Sequence, residues 1–419
     1  MKLDDLKGKT IALAASGGLD SCTVTRWLTD NDVKVLSITA DIGQPDEKNI
    51  EDIQSRMVAS GAIDAVLVDV KEDLAEEAVT MLVAGARYEG GYWNTTGIAR
   101  HVTTRGLLKE MKNHGVDVLA HGATGRGNDQ VRFQLVANML DPKVDVYAPW
   151  RDDAFLGHFG GRREMIAFCE AREIPITATQ DKPYSTDANL LGLTHEAGKL
   201  ESLEVAADFI DPGMGVFPKD APDQEETFSV RIEKGVPVEV NGEPVDALNA
   251  LLKANEIGGR NGIGIGIHTV ENRFVGIKSR GVYESPGLSL LWECYELILQ
   301  QVLDRRARRQ YDQISAALAE QIYQGYYYDL ASQMMRQSLV PVASLLTGTM
   351  TVKLYKGTVT FDSSEKVPHS LYSEETASME AIGDYDHRDS EGFLNVLSVG
   401  AKADHSSGQI ESRLLEGLR

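Results

Sequence analysis

The stretch that decides the fold is Thr10–Ser21, which reads TIALAASGGLDS. Its first half, Thr10–Ala15, is a short apolar run typical of a strand buried on both faces. Its second half, Ser16–Ser21, places two adjacent glycines before a helix predicted at Cys22–Asn31. Glycine lets the backbone turn sharply and approach an anion closely, and the helix start offers free N–H donors. The stretch therefore predicts a phosphate-binding loop, in preference to a plain turn capped by serine and aspartate.

Strand-like and helix-like segments alternate around this loop. The predicted strands are Thr10–Ala15, Val33–Ala40, Ala62–Val70, Val116–Ala120, Val144–Ala148 and Ile174–Thr177. The predicted helices are Cys22–Asn31, Glu47–Ser60, Glu72–Ala86, Ile98–His114 and Glu164–Arg172. Helices of this length between strands imply crossover connections and a mostly parallel sheet. The predicted fold class is α/β, with ligands at the carboxyl ends of the strands.

A second glycine-rich segment, HGATGRGNDQVRF at residues 121–133, follows the predicted strand Val116–Ala120. Asn128 and Arg132 are four residues apart at the start of a predicted helix, so they share one helix face. Arg132 can hold a carboxylate through two parallel hydrogen bonds, and Asp129 can receive an ammonium group or help to hold a metal. These residues suit an amino-acid ligand; the alternative is a capped helix start with an exposed salt pair.

The chain changes character near Lys182-Pro183. Alternating apolar and polar residues predict an antiparallel strand pair over Phe228–Val240, and a helical apolar stripe predicts two packed helices from Leu288 to Gly325. Two further strands around Lys356-Gly357 predict a hairpin. The tail after Ser363 is polar and weakly patterned, which fits an arm that orders on a neighbouring subunit or a mobile end.

Composition narrows the function classes. The 419 residues carry a formal net charge of −21, a field that repels nucleic-acid backbones and anionic lipid surfaces. Cys22, Cys169 and Cys294 are far apart and form no metal or redox motif, which favours a reducing compartment. Neither a signal peptide nor an apolar run of about 18 residues is evident. We expect a cytoplasmic protein with no nucleic-acid or membrane partner.

The motif at residues 16–21 resembles the signature of the pyrophosphatase-loop ATP-dependent ligases. These enzymes transfer AMP to a substrate oxygen, and a nitrogen or sulfur nucleophile then displaces it. Residues 121–133 resemble, at all but one position, a block of the argininosuccinate synthase family. Further similar blocks cover nearly the whole chain, at residues 92–100, 183–190, 194–197 and 270–284.

The resemblance implies that ATP adenylates the ureido oxygen of citrulline and that the amine of aspartate then displaces AMP. It implies ATP and Mg²⁺ as cofactors, citrulline and aspartate as small-molecule partners, and a homotetramer. It also implies a parallel-sheet adenine-nucleotide-binding domain, an α+β synthetase domain and a C-terminal oligomerisation arm, at residues 1–178, 179–363 and 364–419.

The same resemblance assigns three sets of binding residues. For ATP these are Ala14, Ser16, Gly17, Gly18, Leu19, Asp20, Ser21, Ala40, Gly122 and Asp187. For citrulline they are Tyr92, Thr96, Asn128, Arg132, Ser185, Thr194, Glu196, Glu271 and Tyr283. For aspartate they are Thr124, Asn128 and Asp129. The expected catalytic residues are Asp129 and Arg132, and no metal ligand is assigned.

Charge and hydrogen-bonding capacity agree with these sets. Arg132 suits the carboxylate of citrulline, Glu196 and Glu271 suit its ammonium group, and Tyr283 suits the ureido end. No dedicated acid–base pair is evident, so we expect catalysis to rest on positioning the ligands and stabilising charge at phosphorus.

Three residues depart from the family pattern. Ala15 replaces an aromatic residue, Arg126 replaces a lysine, and Gly97 stands where many members have a serine that touches citrulline. These changes leave open a ligase that acts on a citrulline analogue. A ligase acting on tRNA is disfavoured because it needs a basic surface, and a non-catalytic nucleotide-binding relative is disfavoured by the intact charged residues.

Overall fold

The computed structural model describes residues 1–47, 49–176, 184–378 and 386–409. The chain divides into two compact units, Met1–His369 and Ser370–Arg419. All strands of the described residues lie in the first unit. The predicted division into three domains stays a prediction, and its boundary between residues 178 and 179 lies outside the described residues, as does Lys182-Pro183.

A five-stranded parallel sheet forms the first half of the first unit. Its strands, in spatial order, are β3 (Asp64–Asp69), β2 (Lys34–Asp41), β1 (Thr10–Ala14), β4 (Val118–His121) and β5 (Asp145–Tyr147). The central strand β1 is apolar because it is covered on both faces, and Ile11, Ala12 and Leu13 are fully buried. The strand order reverses direction between β1 and β4, where such sheets bind ligands. The predicted α/β fold class is confirmed.

Among the described residues, this half has seven α-helices: α1 (Leu19–Asp30), α2 (Glu51–Ala59), α3 (Lys71–Ala84), α4 (Thr95–Asn113), α5 (Asp129–Leu140), α6 (Asp153–Leu156) and α7 (Arg162–Glu170). The longer predicted helices are confirmed with shifted ends. The most useful shift is that α1 begins at Leu19 and not at Cys22. Asp20 and Ser21, the last residues of the predicted phosphate loop, therefore lie in the first helical turn.

The strand predicted at Ile174–Thr177 is wrong for residues 174–176, and Thr177 lies outside the described residues. The backbone N–H of Ile174 donates to the carbonyl oxygen of Cys169 at 3.0 Å, which closes the end of α7. The Ile174 side chain is nevertheless buried in the apolar core of this half. A short apolar run after a helix can cover a core without pairing as a strand.

The second half of the first unit contains two antiparallel sheets. One consists of β10 (Glu243–Pro244), β9 (Val236–Val240), β8 (Glu226–Glu233), β13 (Gly348–Tyr355) and β14 (Thr358–Glu365), in that order. The other consists of β11 (Ile265–Asn272), β12 (Lys278–Glu284), β7 (Gly192–Glu196) and β6 (Ser185–Asn189). The helices are α8 (Ala247–Arg260), α9 (Pro286–Val302), α10 (Arg305–Gln324), α11 (Leu330–Ser338) and α12 (Val340–Leu345).

Three local predictions in this half are confirmed. β8 and β9 pair antiparallel, and the stripe from Leu288 to Gly325 forms α9 and α10, with Gly325 in the left-handed conformation at the end of α10. Lys356 and Gly357 have φ angles of 44° and 81°. Positive φ at both central residues is what a two-residue hairpin turn of type I′ requires.

One apolar core joins the two halves of the first unit. It contains Leu82 of α3, Val102 of α4, Leu291 of α9 and Leu318 of α10, all fully or almost fully buried. Burial of this kind contributes roughly 1.5–3 kcal/mol for each large aliphatic side chain. Helix α4 therefore holds a fixed position between the parallel sheet and the helices that follow the antiparallel sheets.

The second unit contains α13 (Glu374–Ala377) and α14 (Arg388–Ser406). The weak patterning of the tail does not predict a helix, yet α14 is 19 residues long. Its apolar side chains Phe393, Val396 and Val399 are 65%, 73% and 70% exposed. Among the described residues, no helix combines the length and hydropathy needed to cross a membrane.

Candidate active site

The loop after β1 is shaped for close approach to an anion. Gly17 has a φ of +67°, and a Cβ there would lie 2.9 Å from Cγ2 of Ile53, so a side chain is excluded on both grounds. The backbone N–H of Ser16 donates to Oγ of Ser21 at 3.0 Å, which folds the loop over the start of α1. The first N–H groups of α1 have no partner within the helix and face outward from its positive end.

The loop after β4 meets the loop after β1. A Cβ at Gly122 would lie 3.2 Å from Cβ of Asp20, which is tighter than an ordinary contact. The Asp20 carboxylate accepts a hydrogen bond from Nε1 of Trp150 at 3.2 Å. Burial raises the pKa of Asp20, although Trp150 and Arg162 act in the opposite direction. The two glycine-rich segments therefore form one continuous surface at the reversal point of the sheet.

Asp129, the first residue of α5, lies between two arginines. Its carboxylate accepts from Nε of Arg100 and from Nη1 of Arg132, both at 2.8 Å. Arg100 also donates through Nη2 to Asp187 of β6 at 2.7 Å. Burial alone raises the pKa of Asp129, but the two guanidinium groups outweigh it and lower the pKa to about 2. Asp129 is therefore a fixed anion over the working range of most enzymes.

The opposite wall comes from the sheet that contains β7, β11 and β12. Glu271 is 6% exposed, and its carboxylate accepts from the hydroxyl of Tyr283 at 2.9 Å and from Oγ of Ser279 at 3.3 Å. No ion pair involving Glu271 occurs among the described residues. A buried carboxylate held by hydroxyl groups alone suits a ligand cation.

Glu196 differs from Glu271 in having a cationic neighbour. Its carboxylate accepts from Nη2 of Arg273 at 2.9 Å. Burial raises the pKa of Glu196, Arg273 lowers it, and the nearby charges of Asp129, Asp187 and Glu271 raise it again. The net pKa of Glu196 is raised, and its carboxylate already has a cationic partner in Arg273.

Two pairs of stacked tyrosines lie at the deep end of this region, and of these Tyr92, Tyr283 and Tyr323 line the cleft whereas Tyr88 does not. The rings of Tyr92 and Tyr283 stack at 3.9 Å, and those of Tyr88 and Tyr323 at 3.8 Å. Tyr323 comes from α10, and its carbonyl oxygen accepts from Nε of Arg132 at 2.9 Å. The Arg132 guanidinium lies 5.1 Å from the centre of the Tyr323 ring, within cation–π distance. Arg132 is thus held by α10 as well as by Asp129.

These elements enclose an open cleft of about 240 Å³. Its lining is formed by Asp20, Tyr92, Thr96, Gly122, Ala123, Thr124, Gly127, Asn128, Asp129, Arg132, Asp187, Thr194, Glu196, Glu271, Arg273, Tyr283 and Tyr323. One end reaches the glycine-rich loops, and the other reaches the tyrosines and Glu271. Such a cleft has the charges to hold a zwitterion beside the two glycine-rich loops.

Residues 10–175 match the family model described as the N-terminal HUP domain of arginosuccinate synthase, and residues 184–404 match that of its C-terminal domain. The chain belongs to the argininosuccinate synthase family. It is 42% identical over 396 residues to the argininosuccinate synthase of Rhodopirellula baltica, covering 94% of this chain and 97% of that protein. The synthase of Moorella thermoacetica is 37% identical over 399 residues, covering 94% and 95%. That of Thermotoga maritima is 36% identical over 398 residues, covering 94% and 96%.

Most of the residues predicted from the family resemblance come together in the cleft. From the predicted citrulline and aspartate sets, every residue except Ser185 lines it. From the predicted ATP set, the cleft contains Asp20, Gly122 and Asp187. The binding roles themselves stay predictions.

The remaining predicted residues lie beside the cleft. Ser16, Gly17, Gly18, Leu19 and Ser21 form the loop after β1 and the first turn of α1. Ala14 and Ala40 lie near the carboxyl ends of the neighbouring strands β1 and β2. Ser185 is exposed at the start of β6, paired in register with Glu196.

Three charged or aromatic residues of the site were missed by the sequence analysis. Arg100 bridges Asp129 and Asp187, Arg273 pairs with Glu196, and Tyr323 supports Arg132. Arg100 and Arg273 fall inside the similar blocks at residues 92–100 and 270–284, which was the available signal. Tyr323 carries no local signal, because its position on α10 resembles that of any buried tyrosine in a helix.

The three departures from the family pattern differ in their distance from the site. A Cβ at Gly97 would lie 3.6 Å from Nη2 of Arg132 and 3.2 Å from the carbonyl oxygen of Ile322. Gly97 therefore leaves space beside Arg132 that a serine would enter. Ala15 is buried at the end of β1, and Arg126 is exposed.

Proposed function

We propose that the protein condenses citrulline with aspartate to form argininosuccinate, as its family membership implies. The ureido oxygen of citrulline attacks the α-phosphorus of ATP, the bond to the β-phosphate oxygen breaks, and pyrophosphate leaves. The amine of aspartate then attacks the activated carbon, the carbon–oxygen bond to AMP breaks, and the amine loses a proton. The observation that carries the proposal is the cleft that joins Arg132, Glu271 and Asp129 to the two glycine-rich loops.

Citrulline is placed at the end of the cleft lined by tyrosines. Its α-ammonium group would bind Glu271, a buried carboxylate whose present partners are hydroxyl groups. Its α-carboxylate would bind Arg132, whose Nη2 makes no hydrogen bond among the described residues. Thr96 and Thr194, whose hydroxyl oxygens lie 3.2 Å apart, and Tyr92 would contact the rest of the molecule.

Aspartate is placed at the start of α5. Asp129 would receive its amine as the ammonium ion, and Thr124 and Asn128 would bind its carboxylates through hydroxyl and amide donors. The depressed pKa of Asp129 supports this role because the residue stays anionic. The carboxylates of Asp129 and Asp187 are both held by Arg100, so the aspartate subsite and the cleft wall are fixed together.

ATP is placed across the two loops. The N–H groups at the start of α1 and the hydroxyl groups of Ser16 and Ser21 would bind its phosphates. Ala14 and Ala40 are small residues that leave room for adenosine, and Gly122 would let the chain approach the nucleotide. These fixed dipoles stabilise the charge that develops on the phosphates without reorganising.

Magnesium is proposed as a partner of ATP. No group of three acidic, histidine or cysteine side chains that could hold a metal occurs among the described residues. The ion would therefore be bound mainly by phosphate oxygens. Asp20, at the junction of the two loops, is the side chain that we propose as an additional ligand. A cation there would offset the burial that raises the pKa of Asp20. Bound Mg²⁺ would neutralise part of the phosphate charge.

A homotetramer with a C-terminal arm is also proposed. The exposed apolar residues Phe393, Val396 and Val399 of α14 support an arm that packs against another copy. Light scattering should give four times the chain mass of 45.8 kDa, and removal of residues 370–419 should lower that value. A cytoplasmic location stays a prediction, supported by the three cysteines, which are buried and unpaired.

The experiment that tests the function measures pyrophosphate released from ATP and Mg²⁺ by purified protein. Citrulline and aspartate are added singly and together, and argininosuccinate is identified by mass spectrometry. We expect release that requires citrulline and is sustained by aspartate. Turnover with aspartate alone, or no turnover with both, would contradict the proposal. The variant Arg105→Gln, on the same helix as Arg100 but outside the cleft, serves as a fully active control.

A further inference from the structure

Tyr323 has a buried hydroxyl group that the fold does not use. The residue is 1% exposed, and its Oη makes no hydrogen bond among the described residues. Leaving a buried donor without a partner costs about 1–3 kcal/mol, so such groups are uncommon unless they serve a ligand. Tyr323 nevertheless lines the cleft. The hydroxyl group is therefore available to a molecule that enters it.

The surroundings of Tyr323 specify what that molecule must offer. Burial raises the pKa of Tyr323, the adjacent Glu271 carboxylate raises it further and Arg132 lowers it, so the hydroxyl keeps its proton and acts as a donor. The hydroxyl faces Glu271 but does not meet hydrogen-bond geometry with it. Glu271 already accepts from Tyr283 and Ser279. A ligand oxygen that accepts from Tyr323 would lie close to Glu271, so a carboxylate at this position needs a cation beside it.

Arg132 makes such an anion acceptable at this position. Its guanidinium group lies over the Tyr323 ring, its Nε donates to the Tyr323 carbonyl oxygen, and its Nη1 donates to Asp129. Nη2 makes no hydrogen bond among the described residues and is left for a ligand. An anion held by Nη2 would lie beside the Tyr323 ring, where the hydroxyl can also donate to it.

We propose that Tyr323 is a further substrate-binding residue, whose hydroxyl donates to the α-carboxylate of citrulline beside Nη2 of Arg132. The inference rests on the proposed function, which it deepens. An α-amino acid carries its ammonium and carboxylate on one carbon, so a single ligand can reach Glu271 and this donor pair together. Tyr323 thereby selects for an α-carboxylate and not for the ureido group that reacts.

The test compares Tyr323→Phe with Tyr88→Phe. Both changes remove one hydroxyl from the same stacked pair, but the Tyr88 hydroxyl donates to the carbonyl oxygen of Asn272 and lies outside the cleft. We expect Tyr323→Phe to raise the KM and the calorimetric Kd for citrulline about tenfold or more, as for a hydrogen bond to a charged group. Its KM for ATP and aspartate and its kcat should change by less than about twofold.

A substrate analogue identifies the group that is contacted. N-carbamoylputrescine is citrulline without the α-carboxylate, and it is used as a competitive inhibitor. We expect wild type and Tyr323→Phe to bind it equally, because the hydroxyl has no carboxylate to donate to. A tenfold loss with both molecules would overturn the assignment to the carboxylate, and an unchanged citrulline Kd would overturn the contact itself.

Further measurements distinguish the loss of one hydrogen bond from misfolding of the variant and from failure of the proposed function. Phenylalanine keeps the ring and removes an unsatisfied hydroxyl, so the melting temperature should stay the same or rise. The more disruptive Tyr323→Leu also removes the ring under Arg132, and it should weaken citrulline binding further. Wild-type protein that binds citrulline without turnover would contradict the proposed reaction, and the calorimetric Kd of Tyr323→Phe for citrulline would still decide the inference. Wild-type protein that does not bind citrulline would overturn both.

Discussion

Replacing Arg100 by glutamine should impair the aspartate-dependent step, although Arg100 is not expected to touch a substrate. Its guanidinium group joins Asp129 at 2.8 Å and Asp187 at 2.7 Å, and its side chain is 17% exposed. Removing one partner of a buried charge pair costs about 2–5 kcal/mol. Glutamine retains one donor, which places the expected loss near the lower end, at about 2–3 kcal/mol, or roughly 30- to 150-fold in kcat/KM for aspartate.

The pH dependence separates this positioning role from general damage. Asp129 binds an ammonium group only as the carboxylate, and its pKa is about 2, below the ordinary 3.8, because Arg100 and Arg132 outweigh the effect of burial. Wild-type activity should therefore show no loss from Asp129 as the pH falls toward 5. Without Arg100 the pKa of Asp129 rises, the carboxylate protonates earlier on acidification, and the variant should lose more activity at pH about 5.5 than at pH about 8.

The assay is AMP formation at saturating ATP and citrulline with aspartate varied, repeated across that pH range. Arg105→Gln is the matched control, because Arg105 lies on the same helix and also bridges two carboxylates, Glu77 and Asp73, away from the cleft. The control should keep wild-type kinetics and an unchanged pH profile. An Arg100 variant that behaves like the control, or one whose loss is the same at every pH, would refute the reasoning.

Three further substitutions test the other parts of the cleft. Arg132→Ala should raise the citrulline KM by about 30-fold or more, from a loss of about 2–5 kcal/mol, and leave the KM for ATP nearly unchanged; equal effects on both would contradict the assignment. Asp129→Asn should abolish sustained turnover but preserve exchange of labelled pyrophosphate into ATP with citrulline present, and parallel loss of both would count against it. Gly122→Ala should raise the KM for ATP several-fold, because its Cβ would crowd Asp20. The control Gly400→Ala changes an exposed glycine that has no neighbour within contact distance, and it should leave the KM for ATP unchanged. A normal KM for ATP in Gly122→Ala would contradict the prediction and show that the loop can move to accept the methyl group.

The parts of the site that could be predicted from the sequence are the local ones. The run of Ser16–Ser21 after an apolar strand needs only its own glycines and the helix that follows to form an anion-binding loop. The same holds for Asn128, Asp129 and Arg132, which are neighbours on the first turns of α5. Geometry within one turn of a helix follows from spacing, and the predicted shared face of Asn128 and Arg132 agrees with their both lining the cleft.

The parts that could not be predicted depend on contacts between distant segments. Arg132 receives support from Tyr323, 191 residues further along the chain, and Arg100 reaches Asp187 across 87 residues. An apolar stripe on α10 indicates which face is buried, but it does not indicate which arginine that face will meet. Propensity and periodicity act over a few residues, whereas these pairs depend on how α4 and α10 pack.

The four-stranded sheet around β7 and β12 was missed for a related reason. Its strands carry polar residues at cleft positions, among them Thr194, Glu196 and Glu271, where an ordinary half-buried strand would carry apolar ones. The pattern is that of a surface selected to hold a polar ligand, and it does not have the alternation that predicts a strand. Loss of the expected pattern is therefore itself a feature of the functional face.

The charges of the cleft favour a zwitterionic ligand. Asp129 lies between two arginines, Glu196 pairs with Arg273, and Glu271 is held by hydroxyl groups. A ligand that binds in the cleft replaces some of these contacts between side chains with contacts to itself. If the ligand lacks an ammonium or a carboxylate group, a buried side chain of opposite charge is left with a poorer partner. Such a mismatch costs more than the loss of a contact in water, because the group cannot be resolvated. We therefore expect uncharged ureas to bind poorly, because they leave the protein's own buried charges without partners.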